Sequence, residues 1–300
     1  QGGLNNKNKV NDWIFKINNI CSECNISFVF ASLKHNKYRK PLCGSWHYIK
    51  SKIKSKINVN ELEEEKKIYY IGDACGREKD FSDTDLKYAK NCGFKFKTPE
   101  IFFKLPNYKN SDKTASIKYP NLKYYNSDFL KNLLTKIKNK IKNKEKVLIM
   151  FIGFPASGKS FLRNFLLKNL DNFYYYNNDD FIDNKNNKNK IKNLVSNPTT
   201  YNKVIDDNTN INTKKRFEQL NKFDNYYKIG ISFDLDDQVL NHLNYLRMYE
   251  FDKKLVPKVA YNVLKKNIDK SKFNEKFDLF IKINKLFDNY KEKTKLKYYF

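Results

Sequence analysis

Lys146-Val147-Leu148-Ile149-Met150-Phe151-Ile152-Gly153-Phe154-Pro155-Ala156-Ser157-Gly158-Lys159-Ser160 is an apolar run that ends in a glycine, turns and restarts as a helix. Residues 153–160 match G-x-x-x-x-G-K-[ST], the pattern of a phosphate-binding loop. Gly153 and Gly158 let the backbone fold its N–H groups around phosphate oxygens, with Ser157 between them in the same cofactor-binding stretch. Lys159 is long enough to reach the β- and γ-phosphates, and the Ser160 hydroxyl suits Mg²⁺. The flanks agree with this reading: 147–152 is long and apolar enough for a buried strand, and Phe161, Leu162, Phe165 and Leu166 recur at helical spacing. An α/β fold that takes ATP and Mg²⁺ is the expectation.

Three hundred residues suit two domains, and 40% hydrophobic with 16% aromatic residues is enough for real cores. The formal charge of +26, from 59 Lys+Arg against 33 Asp+Glu, points to a polyanionic partner such as nucleic acid. Abundant Lys, Asn, Ile, Tyr and Phe with scarce Gly and Pro would also follow from an AT-rich genome, so charge alone leaves the partner open. Five cysteines, Cys21, Cys24, Cys43, Cys75 and Cys92, crowd the first third of the chain, as expected of reduced thiols in an intracellular protein. Cys21 and Cys24 have no second pair at zinc spacing. His35, His47 and His242 are too scattered for a metal cluster or a Ser/His/Asp triad and read as structural or surface residues. No apolar run is long enough to span a membrane, and no signal peptide is visible.

In chain order, 10–24 has helical periodicity and 26–31 reads as a strand, followed by a basic loop at 35–41. A second strand at 67–71 runs directly into Gly72-Asp73, with Asp80, Asp83 and Asp85 close behind and a helix at 85–92. Carboxylates at a strand end beside a basic loop suit Mg²⁺ and phosphate. Residues 107–125 are polar and aperiodic and read as a linker between domains 1–106 and 126–300. Beyond it come a helix at 129–141, a strand at 174–177 ending on Asp179 and Asp180, and a Lys/Asn-rich stretch at 184–197 that is assigned no chemistry. A strand within 204–210 with polar residues at its end, a strand at 229–233, a helix at 237–248, a helix at 261–264 and a strand-like 277–287 complete the pattern, before a basic terminus.

Tyr38-Arg39-Lys40-Pro41, Gly44-Ser45-Trp46, Tyr70-Ile71-Gly72-Asp73-Ala74-Cys75-Gly76-Arg77, Lys79-Asp80-Phe81-Ser82 and Thr98-Pro99-Glu100-Ile101-Phe102-Phe103 together resemble the phosphatase domain of the polynucleotide kinase 3′-phosphatase family, end-healing enzymes of DNA repair. Gly153-Phe154-Pro155 resembles that family's kinase domain. The resemblance implies a partial haloacid-dehalogenase-like domain over 1–106, followed by a P-loop NTPase kinase domain with a parallel sheet over 126–300.

By the same resemblance Arg39 and Lys40 stabilise the transferring phosphoryl group, and Asp73 is a metal ligand assisted by Asp80 or Asp85. The family's D-x-D-G-T nucleophile motif is not in this sequence, so the segment is expected to have little 3′-phosphatase activity of its own. Phe233-Asp234-Leu235-Asp236 mimics that motif but lies beyond the phosphate loop and reads as a decoy. Asp179 stands where the family has the general base for a 5′-hydroxyl, with Asn178 in place of an arginine. Asp207, in Asp207-Asn208-Thr209-Asn210, would bind the acceptor or orient the magnesium site, and Arg247 matches an arginine that contacts the phosphates. The implied protein is a monomer of the nucleus that takes ATP and Mg²⁺ and works on DNA or RNA strand ends. A P-loop kinase of a small metabolite and a non-catalytic strand-end binding protein are the two other readings.

Overall fold

A computed structural model of the chain describes residues 7–24, 26, 29–32, 36–53, 58–64, 67–106, 117, 119–178, 197–251, 253–268, 276–288 and 298–300. The chain divides into two units: Gln1–Tyr119 with Tyr245–Leu255 and Leu296–Phe300, and Pro120–Asn244 with Val256–Lys295.

The first unit begins with α1 (Lys7–Glu23), α2 (Gly44–Ile53) and α3 (Val59–Glu64), and then pairs β1 (Tyr69–Ile71) in parallel with β2 (Lys95–Lys97) across α4 (Thr84–Cys92). Helix α4 stops at Gly93, whose φ of 75° is the left-handed conformation that lets the chain leave the helix and enter β2 at once. Helix α5 (Pro99–Phe102) follows, with Thr98 capping it by accepting from the Ile101 N–H. The strand expected at 26–31 is not seen: Ile26 and residues 29–32 carry no regular structure, while Ser27 and Phe28 lie outside the described residues. Ile26 and Val29 are exposed and the run has no partner strand among the described residues, although Phe30 is half-buried against the rings of Tyr38 and Tyr48.

The second unit contains α6 (Phe129–Ile141), β3 (Val147–Gly153), α7 (Lys159–Asn169), β4 (Tyr174–Tyr176), β5 (Lys203–Asp206), α8 (Thr213–Asn221), β6 (Tyr227–Phe233), α9 (Asp237–Phe251), α10 (Lys258–Lys266) and β7 (Leu279–Ile283), with α9 ending in the first unit. Its five strands lie in the order β4-β5-β3-β6-β7, and every neighbouring pair is parallel. All seven residues of β3 are buried, and strand periodicity explains why the run is unbroken. Val147, Ile149 and Phe151 face Leu133 and Ile137 of α6 and Leu162 and Leu166 of α7. Leu148 and Met150 face the other way, onto Leu220 of α8, Phe223 and Tyr226. Both faces of the sheet are therefore covered, and polar groups of the central strands are concentrated at the strand ends.

Two departures from the expected boundaries have clear causes. The end of the supposed linker pairs with the sheet edge, Tyr124 bridging Leu286 while the Tyr125 N–H donates to the Leu286 carbonyl at 2.8 Å. The Tyr125 ring stacks on Phe129 at 3.6 Å. Residues 107–116, the body of that linker, lie outside the described residues. The first unit also gains chain from far along the sequence. Tyr245 stacks on Phe300 at 5.6 Å, Tyr249 meets Tyr298 edge-on at 5.0 Å, and the Asn91 amide accepts from the Tyr299 N–H at 2.7 Å and donates to its carbonyl at 2.9 Å. The chain re-enters the second unit where Asn244 and Val256 exchange two hydrogen bonds, of 2.9 and 3.1 Å.

Candidate functional site

In the second unit β3, β4 and β5 deliver their C-terminal ends to one edge of the sheet, where open parallel sheets bind ligands. Strand β3 gives way at Gly153 to a loop that α7 ends at Lys159. A Cβ on Gly153 would sit 2.9 Å from the Phe233 Cβ and 3.1 Å from Ser157 Oγ, so the loop closes this tightly only with glycine. Gly158 has φ 97° and Ala156 φ 63°, left-handed turns that reverse the chain into the helix. Tyr261 supports the loop from outside, donating its O–H to the Pro155 carbonyl at 2.9 Å and stacking on Phe154.

Lys159 is 8% exposed, and its ammonium donates to the carbonyls of Gly153 at 2.9 Å and Phe154 at 2.7 Å. The next residue, Ser160, donates its hydroxyl to Asp207 Oδ2 at 3.3 Å. Asp207 follows β5 directly and its side chain is fully buried. Arg163 donates to the same oxygen at 2.8 Å and Asn177 at 3.4 Å. Burial pushes the Asp207 carboxyl up from its ordinary value, against the pull of Arg163 and Lys159 downward. Two buried oxygens here, Ser157 Oγ and Asp207 Oδ1, have no hydrogen-bond partner among the described residues. Such atoms ask for a bound group, because an unsatisfied buried oxygen otherwise carries its desolvation cost uncompensated. The Ser160 hydroxyl and the Asp207 carboxylate are hard oxygen donors of the type Mg²⁺ takes, so these residues fit that ion.

Sequence reasoning named Gly153, Ser157, Gly158, Lys159, Ser160 and Asp207, and the structure brings them to one sheet edge. It did not name Arg163 and Arg216, which bond to Asp207 and to the loop after it. Arg163 lies four residues after Lys159 and three after Ser160, which puts it on their face of α7, and its guanidinium lies 4.3 Å above the Tyr175 ring. That spacing was a readable signal. Arg216 is wholly buried and donates to the carbonyls of Asn210 at 2.8 Å and Ile211 at 3.1 Å, pinning the loop after Asp207. No linear pattern announces it. Asp179 and Asp180 lie outside the described residues, and Arg247 falls in the part of α9 that belongs to the first unit, half-buried. His242 is buried with its pKa lowered to about 4 by desolvation, in keeping with a structural residue.

The first unit gathers its own polar cluster at the end of β1. Lys40 pairs with Asp85 and donates to the Tyr70 hydroxyl at 2.9 Å. Asp85, in turn, accepts from the Ala74 N–H at 3.1 Å and from the Tyr70 hydroxyl at 3.1 Å. Gly72 makes room for that carboxylate, since a Cβ there would lie 2.5 Å from Asp85 Oδ2. Arg39 is partly exposed and Asp73 exposed. Asp80 is bound within its own loop: it accepts from the N–H groups of Cys75 and Arg77, each at 3.0 Å, and from the Arg77 Nε at 3.0 and 3.1 Å. Among the described residues no three His, Cys, Asp or Glu side chains converge to hold a metal. Asp80 thus braces the loop that carries Asp73.

Burial raises the Asp80 carboxyl, but hydrogen bonds from Arg77 and Cys75 outweigh it and hold the group far below its ordinary value of 3.8. A depressed carboxylate contributes stability that is present above the unfolded value and lost as pH falls toward the folded one. Asp80→Asn is therefore expected to destabilise the first unit by about 1–3 kcal/mol at pH 7, with the deficit shrinking as pH drops below the ordinary carboxylate range. Urea unfolding of both proteins at pH 7 and pH 3 checks this; equal midpoints at pH 7 would contradict it.

Three relatives and a family model set these two clusters in context. Residues 1–103 match the model for polynucleotide kinase 3 phosphatase. A protein of Acanthamoeba polyphaga mimivirus described as a bifunctional polynucleotide phosphatase/kinase is 32% identical over 313 residues, covering 93% of this chain and 70% of that one. The bifunctional polynucleotide phosphatase/kinase of Schizosaccharomyces pombe is 27% identical over 256 residues, 83% of this chain and 57% of its own length. A polynucleotide 3′-phosphatase of Saccharomyces cerevisiae is 46% identical over 70 residues, 22% of this chain and 29% of that protein.

Proposed function

The chain belongs to the polynucleotide kinase 3′-phosphatase family, and from that premise we propose that its second unit is an ATP-dependent kinase of polynucleotide 5′-hydroxyl ends. The observation that carries this reading is the convergence of Ser160, Arg163 and Asn177 on the buried Asp207, one strand away from the 153–160 loop that holds Lys159. A glycine-bounded loop carrying a lysine, followed by a buried carboxylate, suits phosphoryl transfer, in which catalysis is positioning plus stabilisation of charge on the transferring group.

In this reading the loop N–H groups and Lys159 hold the β- and γ-phosphates, which makes 153–160 a P-loop. Ser160 and Asp207 would hold Mg²⁺, which when bound would supply positive charge to offset that of the phosphates. Arg163 keeps one Asp207 oxygen occupied and so leaves the other, Oδ1, for the metal site. Asp179 accepts the proton of the 5′-hydroxyl as its oxygen bonds to the γ-phosphorus, the bond from that phosphorus to the β–γ bridging oxygen breaks, and ADP departs. Arg247 is the residue that matches the family's phosphate-contacting arginine, a role that suits a planar, always charged side chain. The first unit supplies Arg39, Lys40 and Asp73, with Asp80 behind them, to a 3′-phosphatase site on a haloacid-dehalogenase-like domain. The polymer is DNA or RNA, and work on DNA ends places the protein in the nucleus or otherwise beside DNA.

The test is an acceptor panel: 5′-hydroxyl oligonucleotides beside nucleosides and sugars, each offered with ATP and Mg²⁺ at two salt concentrations. Transfer to the oligonucleotide with a KM that rises steeply with salt is expected, because phosphate contacts release counterions. Transfer to a small acceptor with the oligonucleotide ignored would defeat the proposal in favour of a metabolite kinase.

A further inference from the structure

Asp206 is a buried carboxylate to which the transfer reaction gives no task. It is the last residue of β5, 1% exposed, and both of its oxygens are engaged. Oδ2 accepts the Tyr176 O–H at 2.6 Å, and Oδ1 accepts the Asn208 N–H at 3.1 Å and the Asn208 side-chain amide at 2.8 Å. The Tyr176 oxygen accepts in turn from Gln219 at 2.7 Å. Asn208 Oδ1 then accepts the backbone N–H of Asn178 at 2.9 Å.

The placement of these bonds matters more than their number. The β4–β5 ladder ends at the pair Tyr176 and Asp206, so regular pairing stops one residue short of the segments that form the site. Beyond it, the Asp207 N–H reaches the Tyr176 carbonyl at 3.1 Å, Asn177 reaches Asp207, and Asn178 reaches Asn208. Asp206 holds Tyr176 on one strand and Asn208 on the other, and through Asn208 it fixes the peptide of Asn178. Burying a carboxylate costs several kcal/mol, and a well-packed apolar residue would join two strands without that cost. What an apolar residue could not do is orient the amides on which the two strand exits hang.

We infer that Asp206 and Asn208 are positioning residues of the kinase site, which lock the exit of β4 against the exit of β5 so that the chain entering Asp179 leaves from a fixed point beside Asp207. The inference rests on the kinase reading. Asn208→Ala removes the link to Asn178, and Tyr176→Phe removes the O–H donated to Asp206 while keeping the buried ring. Either change is expected to lower kcat for 5′-hydroxyl transfer by about tenfold or more while KM for ATP stays within about twofold, since a misplaced acceptor geometry costs turnover rather than nucleotide binding. In an Asp179→Asn background, Asn208→Ala should add no further loss. Should Asn208→Ala fail to fold, Tyr176→Phe carries the same readout. An unchanged kcat per folded molecule, or a full multiplicative loss in the Asp179→Asn background, overturns the assignment. A wild-type chain that phosphorylates no 5′ end overturns the kinase reading, and this inference with it.

Discussion

Lys159→Ala is expected to lower phosphate transfer to a 5′-hydroxyl oligonucleotide by about a thousandfold or more, the scale seen when a fixed cation or donor is removed from a developing phosphoryl charge. The geometry sets that expectation. Lys159 is the first residue of α7, and its ammonium is held by the carbonyls of Gly153 and Phe154, inside the loop that would surround the phosphates. Arg163, the nearest other cation on that helix face, is committed to Asp207 and to the Tyr175 ring, so it is poorly placed to take over. Folding should survive, because the side chain removed sits at a loop rather than between the sheet and its helices. Circular dichroism and thermal melting of the variant check that point, and transfer of labelled phosphate checks the activity; near-wild-type transfer would remove the basis for assigning this loop to ATP.

Asp179→Asn is expected to reduce turnover by about a hundredfold or more while oligonucleotide affinity and its salt dependence stay close to those of the wild type. The two properties separate because they draw on different parts of the molecule. Affinity for a polyanion comes from a chain of formal charge +26, to which one carboxylate adds little. Proton acceptance in this account depends on one carboxylate within reach of the attacking hydroxyl, and it is the hydroxyl oxygen that must lie in line with the γ-phosphorus. Filter binding at several salt concentrations and steady-state transfer measure the two independently. Full activity in the variant would leave the kinase standing and strip Asp179 of its role. Loss of binding in parallel with turnover would instead make Asp179 a binding residue.

How far the chain could be read in advance follows from which interactions are local. The 147–153 run was legible because a strand buried on both faces must be apolar at every position, and the glycines mark a turn, Gly153 where a Cβ would clash and Gly158 at a φ of 97°. The stripe of Leu133, Ile137 and Ile141 announced α6 in the same way, by its period. The run at 26–31 had the composition of a strand, but a strand needs a neighbour, and sequence does not say whether one is near. The return of 245–255 and of the last residues to the first unit was illegible for a related reason. It depends on Tyr245 and Tyr249 meeting Phe300 and Tyr298, and on Asn91 meeting Tyr299 from 208 positions away. Within the site, Asp207 was found because it lies in a recognisable motif. Asp206, one residue earlier, looked like the end of a strand, and its bonds to Tyr176 and Asn208 exist only once β4 lies beside β5.

Incubation of the wild-type chain with γ-labelled ATP, Mg²⁺ and a 5′-hydroxyl oligonucleotide, followed by digestion that releases the 5′-terminal nucleotide, tests the central claim most directly. The account predicts label on that terminal nucleotide, none on an oligonucleotide already phosphorylated at its 5′ end, and none in either case for Lys159→Ala. Label released only as inorganic phosphate, or carried by an acceptor other than the 5′ end, would contradict it.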